Sequence, residues 1–252
     1  MTTLFLFAHQ DDEFGVFERI FRLRQQGRSV AVAYLTSGSR SGEPHPARDQ
    51  ESVDVLGRLG VPAVDIHFIG SALNIPDGKL VEHMESALEA CLGLAAKQGT
   101  VDEVCCLGWE GGHQDHDAVY LLGIILAKQL GILESSHQFS LYQGAGLSGS
   151  FFRLLSPLPQ NGALLKSHIP RARRLLFAQL VLRYRSQWRT WIAFYPLLII
   201  YYLVNGSQAL QPLVPARARA APHAGALLYE RRGFYSAARF ATFAKSFLDK
   251  AR

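Results

Sequence analysis

The 252-residue chain is long enough for one large α/β domain, and 48% of its residues are hydrophobic while 19% are charged. This balance excludes a disordered or fibrous protein. The net charge is +5, and a large share of the arginines lies between residues 171 and 232. No zinc-finger, helix-turn-helix or RNA-recognition motif accompanies them, so we expect no nucleic-acid partner. Three cysteines, an odd number, and an amino terminus without a basic leader segment favour a reducing, cytoplasmic compartment.

Short apolar runs alternate with helix-like segments over the first 150 residues. The predicted strands are 4–8, 30–35, 64–69, 104–107 and 139–142, and the predicted helices lie near residues 14–26, 47–59, 80–97 and 113–130. This alternation predicts a Rossmann-like, doubly wound, mostly parallel sheet with helices on both faces. In such sheets ligands bind at the carboxyl ends of the strands, near the point where the strand order switches.

The pattern changes after about residue 150 to loops rich in proline and a stretch rich in arginine. We therefore predict a core over residues 1–150 and a C-terminal helical extension over residues 151–252. The extension should pack on the core and shape the substrate pocket, giving one compact domain. Within it we predict a short strand at residues 227–229 and a closing helix over residues 234–250.

Two polar clusters follow predicted strands of the same sheet. His9 and Asp12 lie three residues apart after the first strand, and His113 and His116 have the same spacing after the strand at residues 104–107. A helix cap would explain either cluster alone. Because both clusters follow strands directly, however, their side chains should converge on one point.

The residue types in these clusters are those of a catalytic metal site. Two imidazoles and one carboxylate with open positions are the ligands of hydrolytic zinc, and also of non-haem iron oxygenases. Asp11, beside the first pair, favours hydrolysis. A second carboxylate can take a proton from water, which zinc acidifies to a pKa of about 7.

The clusters resemble the signatures of a known family, the N-acetylglucosaminyl-phosphatidylinositol de-N-acetylase (PIG-L/LmbE-like) family of zinc deacetylases. Residues 8–13 resemble its Ala/Pro-His-Pro-Asp-Asp-Glu signature, with Gln10 in place of the proline, and residues 113–116 resemble its His-x-Asp-His signature. Residues 36–38, 48–51 and 76–78 also resemble family positions. The resemblance covers roughly residues 3–145.

The resemblance implies a role for each residue of the two clusters. It implies that His9, Asp12 and His116 hold one zinc ion per chain and that Asp11 is the general base. His113 would stabilise the oxyanion or protonate the leaving amine. These roles suit amide hydrolysis, which needs a nucleophile, charge stabilisation and an acid for a poor leaving group.

The resemblance also implies roles around the metal. Asp115 would orient one of the imidazoles, with a helix cap as the alternative. Arg48 and Asp77 resemble residues that hold sugar hydroxyls, with surface salt bridges as the alternative. His223 is a candidate further acid or substrate contact, with a surface loop histidine as the alternative. Some family members carry a tyrosine where this chain has Gly111, so a hydroxyl from that position is absent.

Residues 191–204 are uncharged and are interrupted by Pro196, and they are fewer than the about 20 that a membrane-spanning helix needs. They are expected to form a buried helix or a helix that lies in a membrane interface. The buried helix is the first expectation, although the arginines that precede the segment and the aromatic rings within it are typical of helices that lie in a membrane interface. A peripheral membrane or lipid contact through residues 188–204 is therefore one hypothesis from the sequence.

These features together predict a zinc-dependent hydrolase that removes acetyl from an N-acetylglucosamine-type glycoconjugate, which is lipid-linked in one version of this hypothesis. A deacylase of a soluble or antibiotic N-acyl amino sugar is the alternative. A non-catalytic sugar or nucleotide binder on the same scaffold is the alternative of another class. The complete ligand set disfavours a binder, and the first strand-to-helix turn lacks the Gly-x-Gly-x-x-Gly of dinucleotide-binding proteins.

Overall fold

The computed structural model describes residues 1–250, in which strands and helices alternate over the first part of the chain. The strands are β1 (Thr2–Phe7), β2 (Ser29–Tyr34), β3 (Ile66–Phe68), β4 (Val101–Leu107), β5 (His137–Phe139), β6 (Tyr142–Gln143), β7 (Arg153–Leu154), β8 (Leu165–His168) and β9 (Ser207–Pro212). The helices are α1 (Phe17–Gln25), α2 (Pro46–Arg58), α3 (Ile69–Ala72), α4 (Met84–Lys97), α5 (Gln114–Gln129), α6 (Arg171–Val181), α7 (Trp188–Val204), α8 (Leu228–Arg231) and α9 (Ala237–Lys250).

Seven strands form one mixed sheet in the order β3-β2-β1-β4-β5-β9-β8, and β6 pairs with β7 separately. Strands β1 to β5 are parallel, whereas β9 runs antiparallel to both of its neighbours. The predicted Rossmann-like, mostly parallel α/β fold is confirmed. The C-terminal third is helical as expected, but it also adds β8 and β9 to the sheet.

The central strands are continuous apolar runs because helices cover both faces of the sheet. Residues 4–8 and 30–35 are completely buried. Helix α5 packs on β4 and α4, and 14 of its 16 residues are buried. The chain therefore places β1 and β4, which precede the two polar clusters, side by side at the centre of the fold.

The strand predicted at residues 139–142 is two strands in two different sheets. Strand β5 ends at Phe139 and β6 begins at Tyr142. The carboxylate of Glu110 accepts hydrogen bonds from the backbone N–H groups of Leu141 (2.9 Å) and Tyr142 (3.0 Å), which removes these donors from strand pairing. The strand predicted at residues 64–69 is also shorter, because Ile69 begins α3.

The strand predicted at residues 227–229 is wrong. The segment forms α8, in which the N–H groups of Arg231 and Arg232 donate to the carbonyls of Leu227 and Leu228. The N–H of Leu228 donates instead to the carbonyl of Gly111 (2.9 Å). The segment thus satisfies its backbone groups within its own turn and against the loop after β4, without pairing to a strand.

Helix α7 includes the uncharged segment and has a buried face formed by Trp191, Phe194, Leu198 and Tyr202. Pro196 lies inside this helix. None of the helices within residues 1–250 combines the length and the apolar content that crossing a membrane requires.

Candidate active site

The two polar clusters meet at the carboxyl ends of β1 and β4, where the strand order of the sheet switches. The turn after β1 is strained, because Asp11 has a φ of 116°, in the left-handed region that non-glycine residues rarely adopt. The backbone N–H of Asp11 donates to the Glu13 carboxylate (2.9 Å), which is buried beside the hydroxyls of Tyr34 and Tyr184. Strain of this kind clusters at functional sites.

His9, Asp12 and His116 are buried and in mutual contact. Asp12 Oδ2 lies 3.5 Å from His9 Nδ1, and Asp12 Oδ1 lies 3.2 Å from His116 Nε2. Ligands that bind one zinc ion at about 2.0–2.2 Å lie roughly 3–4 Å apart, so these separations fit a zinc ion. His116 Nδ1 is buried and has no hydrogen-bond partner among residues 1–250.

A second arrangement of the same region includes His113. One ring nitrogen from each of His9, His113 and His116 lies within 4.8 Å of the other two, and one ligand atom from each of His9, Asp77, His113 and Asp115 forms a second such group. The geometry therefore offers His113 as well as Asp12 as a third ligand. The Asp12 carboxylate is held in place by the hydrogen bonds that it accepts from the N–H groups of Ala8 (3.0 Å) and His9 (2.7 Å).

The electrostatics of the cluster favour a cation. Burial opposes charge on both Asp12 and His9, yet the imidazoles of His116 and His9 hold the pKa of Asp12 well below its ordinary value. The carboxylates of Asp77, Asp115 and Asp12 likewise raise the pKa of His9 well above its ordinary value. Buried carboxylates that attract positive charge this strongly suit a metal ion.

Asp11 lines the same cavity as the metal-binding candidates. Burial raises the pKa of its carboxyl well above the ordinary value, and the nearby Arg48 guanidinium offsets part of this rise. A carboxylate with a raised pKa accepts a proton more readily than an exposed one, which suits a general base.

His113 is the N-cap of α5, and its Nδ1 accepts a hydrogen bond from the N–H of Asp115 (3.2 Å). A neutral imidazole whose Nδ1 accepts must carry its proton on Nε2. Burial, together with the neighbouring His9, lowers the pKa of His113 to about 4. His113 is therefore a neutral hydrogen-bond donor at pH 7.

Asp115 and Asp77 contact the opposite side of the His9 ring. His9 Nε2 lies 3.1 Å from Asp115 Oδ2 and 3.1 Å from Asp77 Oδ1. Asp115 also accepts hydrogen bonds from the N–H groups of Gly78 (2.6 Å) and Leu80 (3.0 Å), which fix its carboxylate. A carboxylate held in this way orients the imidazole and leaves its other nitrogen for a metal.

Arg48 lines the cavity, but both of its terminal nitrogens already bind protein groups. They donate to the carbonyls of Gly38 (2.6 Å) and Gln10 (3.2 Å) and to the side chain of Gln187 (2.6 Å). Its predicted role in holding sugar hydroxyls stays a prediction. Its contacts give it a second task, which is to hold the turn after β1.

Gln187 is a residue of the site that the sequence did not indicate. Its side-chain amide donates to the carbonyl of Gln10, so the extension contacts the turn that carries Asp11. Gln10 replaces the proline of the family signature, and its buried side chain donates to Asp49 (2.6 Å). No pattern in the sequence near residue 10 or residue 187 indicates their contact, which joins segments 177 positions apart.

Tyr142 is a second residue of the site that the sequence did not indicate. It follows β5, it is half-buried at the wall of the cavity, and its ring centroid lies 5.2 Å from that of His116. Burial of the hydroxyl raises its pKa well above the ordinary value, so the phenol stays neutral. A phenol therefore lines the cavity even though Gly111 provides none.

The absence of a tyrosine at position 111 has a structural reason. Gly111 has a φ of 68°, and a Cβ there would lie 2.8 Å from Leu227 Cδ2 and 3.3 Å from His223 Nε2. His223 is buried behind this glycine, with Nδ1 2.8 Å from the carbonyl of Ala224. His223 is not among the described residues that line the cavity of Asp11 and the metal-binding candidates.

The cavity above the cluster has a volume of about 740 Å³ and draws its walls from the core and the extension. Asp11, Asp12 and Asp77 lie among its lining residues. Its other lining residues include the aromatic Tyr142, Phe152, Trp191, Phe194 and Phe234 and the cationic Arg40, Arg48, Lys79, Arg189 and Arg232. A cavity with charged side chains of both signs and aromatic walls suits a sugar, whose rings stack on aromatic faces and whose hydroxyls need polar partners.

Comparison with known proteins agrees with this fold. The family model for PIG-L, GlcNAc-PI de-N-acetylase, matches residues 4–127. This match covers just under half of the chain and confirms the resemblance seen in the sequence. No curated protein sequence matches the chain significantly.

Several solved structures share the fold. A triple mutant of a deacetylase of the teicoplanin biosynthetic pathway superposes with a TM-score of 0.63 at 17% identity, covering 84% of this chain and 97% of that one. The zinc-inhibited form of a teicoplanin deacetylase gives 0.56 at 15% identity, covering 74% and 85%. The N,N'-diacetylchitobiose deacetylase of Pyrococcus horikoshii, bound to an inhibitor, gives 0.54 at 18% identity, covering 83% and 82%.

Proposed function

We propose that this chain is a zinc-dependent N-deacetylase that hydrolyses the acetamide of an N-acetylated amino sugar. The observation that carries the proposal is the buried contact of His9, Asp12 and His116 beside the carboxylate of Asp11, at the base of a cavity of about 740 Å³. The match of residues 4–127 to the de-N-acetylase family model supports the reaction class. The deacetylases among the similar structures support an acetylated sugar as the substrate.

One zinc ion per chain would be held by His9, Asp12 and His116. When bound, zinc polarises a carbonyl oxygen and makes water more acidic. His9 suits this role because Nδ1 faces Asp12 while Nε2 faces Asp115, so one nitrogen is available to the ion and the other has a carboxylate partner. The zinc-inhibited form of a teicoplanin deacetylase supports zinc binding by such a scaffold.

Asp11 takes the proton from the water molecule that attacks the acetamide carbon. His113 donates a hydrogen bond from Nε2 to the carbonyl oxygen, on which negative charge develops as the water adds. The proton held by Asp11 then passes to the sugar nitrogen as the carbon–nitrogen bond breaks. The products are acetate and a free amine.

The sugar would lie in the cavity between the core and the extension. Arg48 and Asp77 are the proposed contacts to its hydroxyls, and the aromatic residues of the extension would cover its rings. We favour an N-acetylglucosamine-type glycoconjugate, because chitobiose and teicoplanin deacetylases are among the similar structures. A lipid-linked glycoconjugate would also use the proposed lipid contact of residues 188–204.

Product analysis tests this proposal. Purified protein loaded with zinc is incubated with N-acetylglucosamine, chitobiose-type and lipid-linked N-acetyl sugars, and with O-acetylated sugars as the matched control. We expect acetate and primary amine in equal amounts from at least one N-acetyl sugar, loss of both with a chelator, and recovery with one equivalent of zinc. Amine release from none of them, or release that the chelator leaves unchanged, would contradict the proposal.

A further inference from the structure

Helix α7 presents an apolar stripe to solvent on the side opposite its buried face. Trp188, Ile192, Ile200 and Leu203 have exposed fractions of 57%, 64%, 56% and 76%. Their spacing of three to four residues, or multiples of it, puts them on one side of the helix. We call these four side chains the α7 ridge; at 1.5 Å per residue it runs along roughly 23 Å of helix.

The ridge is part of a larger apolar surface that α6 shares. Leu175 and Leu182 are also exposed, and eight of the 15 exposed large hydrophobic residues within residues 1–250 lie between residues 175 and 204. A cavity of about 410 Å³ lies between the two helices and is lined by Leu182, Trp188 and Ile192, among others. Contiguous exposed apolar surface of this kind marks an interaction site.

The segment that forms the ridge is basic, although the Glu51 carboxylate of α2 contacts Ser186 just before the ridge begins. Residues 135–229 contain ten lysines and arginines and no aspartate or glutamate. Arg183, Arg185 and Arg189 are exposed, and none of them forms a salt bridge with a carboxylate of the described residues. The Arg189 guanidinium lies over the Trp188 ring, 5.5 Å from its centroid. These cations stand at the end of the ridge nearest the catalytic cavity.

We infer that the α7 ridge docks on an anionic phospholipid bilayer. Apolar side chains flanked by arginines and a tryptophan match the boundary between acyl chains and anionic headgroups. A second copy of the chain fits less well, because a symmetric contact would bring the unpaired arginines of both copies together. The inference stands independently of the proposed reaction.

Docking would place the catalytic cavity at the membrane surface. Thr190, Trp191, Ala193 and Phe194, on the neighbouring sides of α7, line that cavity. The same helix thus forms a cavity wall and the docking ridge. A glycoconjugate embedded in the bilayer would meet the cavity without leaving the headgroup layer.

Vesicle sedimentation of the full chain tests the inference. Vesicles contain either phosphatidylcholine alone or phosphatidylcholine with phosphatidylglycerol. We expect wild-type protein to sediment with the anionic vesicles, and the double variant Ile192→Glu, Ile200→Glu to lose about ten-fold or more of that binding. The control is Val64→Glu, which puts a glutamate on a 78% exposed valine outside α6 and α7 and should bind as the wild type does. Arg183→Gln with Arg185→Gln should remove the preference for anionic vesicles.

Three outcomes would overturn the inference. The first is no sedimentation of wild-type protein with anionic vesicles at low ionic strength. The second is unchanged sedimentation of the double glutamate variant, with its fold verified by circular dichroism. The third is a wild-type dimer that this variant converts to a monomer, which would assign the ridge to a second copy. Wild-type turnover of a soluble N-acetyl sugar, measured without vesicles, tests the proposed function separately.

Discussion

Helices α5 and α7 are both rich in apolar residues, yet they meet solvent very differently. Fourteen of 16 residues of α5 are buried, whereas four of 17 residues of α7 are. Helix α5 packs between the sheet and other helices. Helix α7 packs against the rest of the protein with one side only, and another of its sides lines the cavity. Apolar composition therefore does not decide burial; the number of elements that pack around a helix does.

The two regions that contain these helices divide the work of the site. The core provides the buried imidazoles and carboxylates at the ends of β1 and β4. The extension has no acidic residue before Glu230 and provides aromatic walls and arginines. The contacts of Gln187 are the exception, because they connect the extension to the turn that carries Asp11. The following predictions test this division.

The largest effect is expected from removal of a metal ligand in the core. Asp12→Asn should lower zinc affinity by more than about 100-fold, since even residues that only support a ligand contribute 10–100-fold. His113→Gln should retain zinc and lose turnover. Zinc competition with a chromophoric chelator measures both affinities. Zinc loss in His113→Gln with retention in Asp12→Asn would instead establish the ligand set of three histidines.

A smaller effect is expected where the extension touches the core. Gln187→Leu removes the donor to the Gln10 carbonyl and should lower kcat roughly ten-fold with little change in KM or zinc content, because Asp11 is then held less firmly. The matched control is Gln179→Leu, an exposed position on α6. Steady-state kinetics with zinc analysis measures the effect. An unchanged kcat in Gln187→Leu would show that this contact of the extension does not contribute to catalysis.

The smallest effect concerns stability rather than turnover. Burial raises the pKa of Glu110 from its ordinary 4.5 to about 8. Between these values the folded state keeps a proton that the unfolded state releases, so the free energy of unfolding falls as pH rises, by up to about 1.4 kcal/mol per pH unit for this group. Above pH 8 its contribution is constant.

Glu110→Gln removes this titration and keeps an acceptor for the N–H groups of Leu141 and Tyr142. The stability of the variant relative to the wild type should therefore increase from pH 5 to pH 8. Urea unfolding at a series of pH values measures the difference. Parallel stability curves for the two proteins would show that Glu110 is ionised throughout this range.

The sequence predicted the sheet and the meeting of the two clusters, because both depend on local patterns. Apolar runs define buried strands, and the spacing of His9 with Asp12 and of His113 with His116 is short-range. The split between β5 and β6 was not predictable, since it depends on the carboxylate of Glu110, some 30 residues earlier in the chain. The ligand and base roles themselves stay predictions.

Long-range contacts explain the remaining omissions. Gln187 touches Gln10 across 177 positions, and no local pattern in either segment indicates the other. Tyr142 reaches the cavity only because the chain leaves the sheet after β5. The division of the chain at residue 150 also stays a prediction.

The central claim is that Asp11 is the base beside a zinc ion that other residues hold. Asp11→Asn preserves the shape of the side chain and removes its basicity, so turnover of an N-acetyl sugar should fall on the order of 1,000-fold while zinc content stays at one per chain. Asp54→Asn, an exposed position on α2, is the matched control and should equal the wild type. Wild-type turnover in Asp11→Asn would contradict the account.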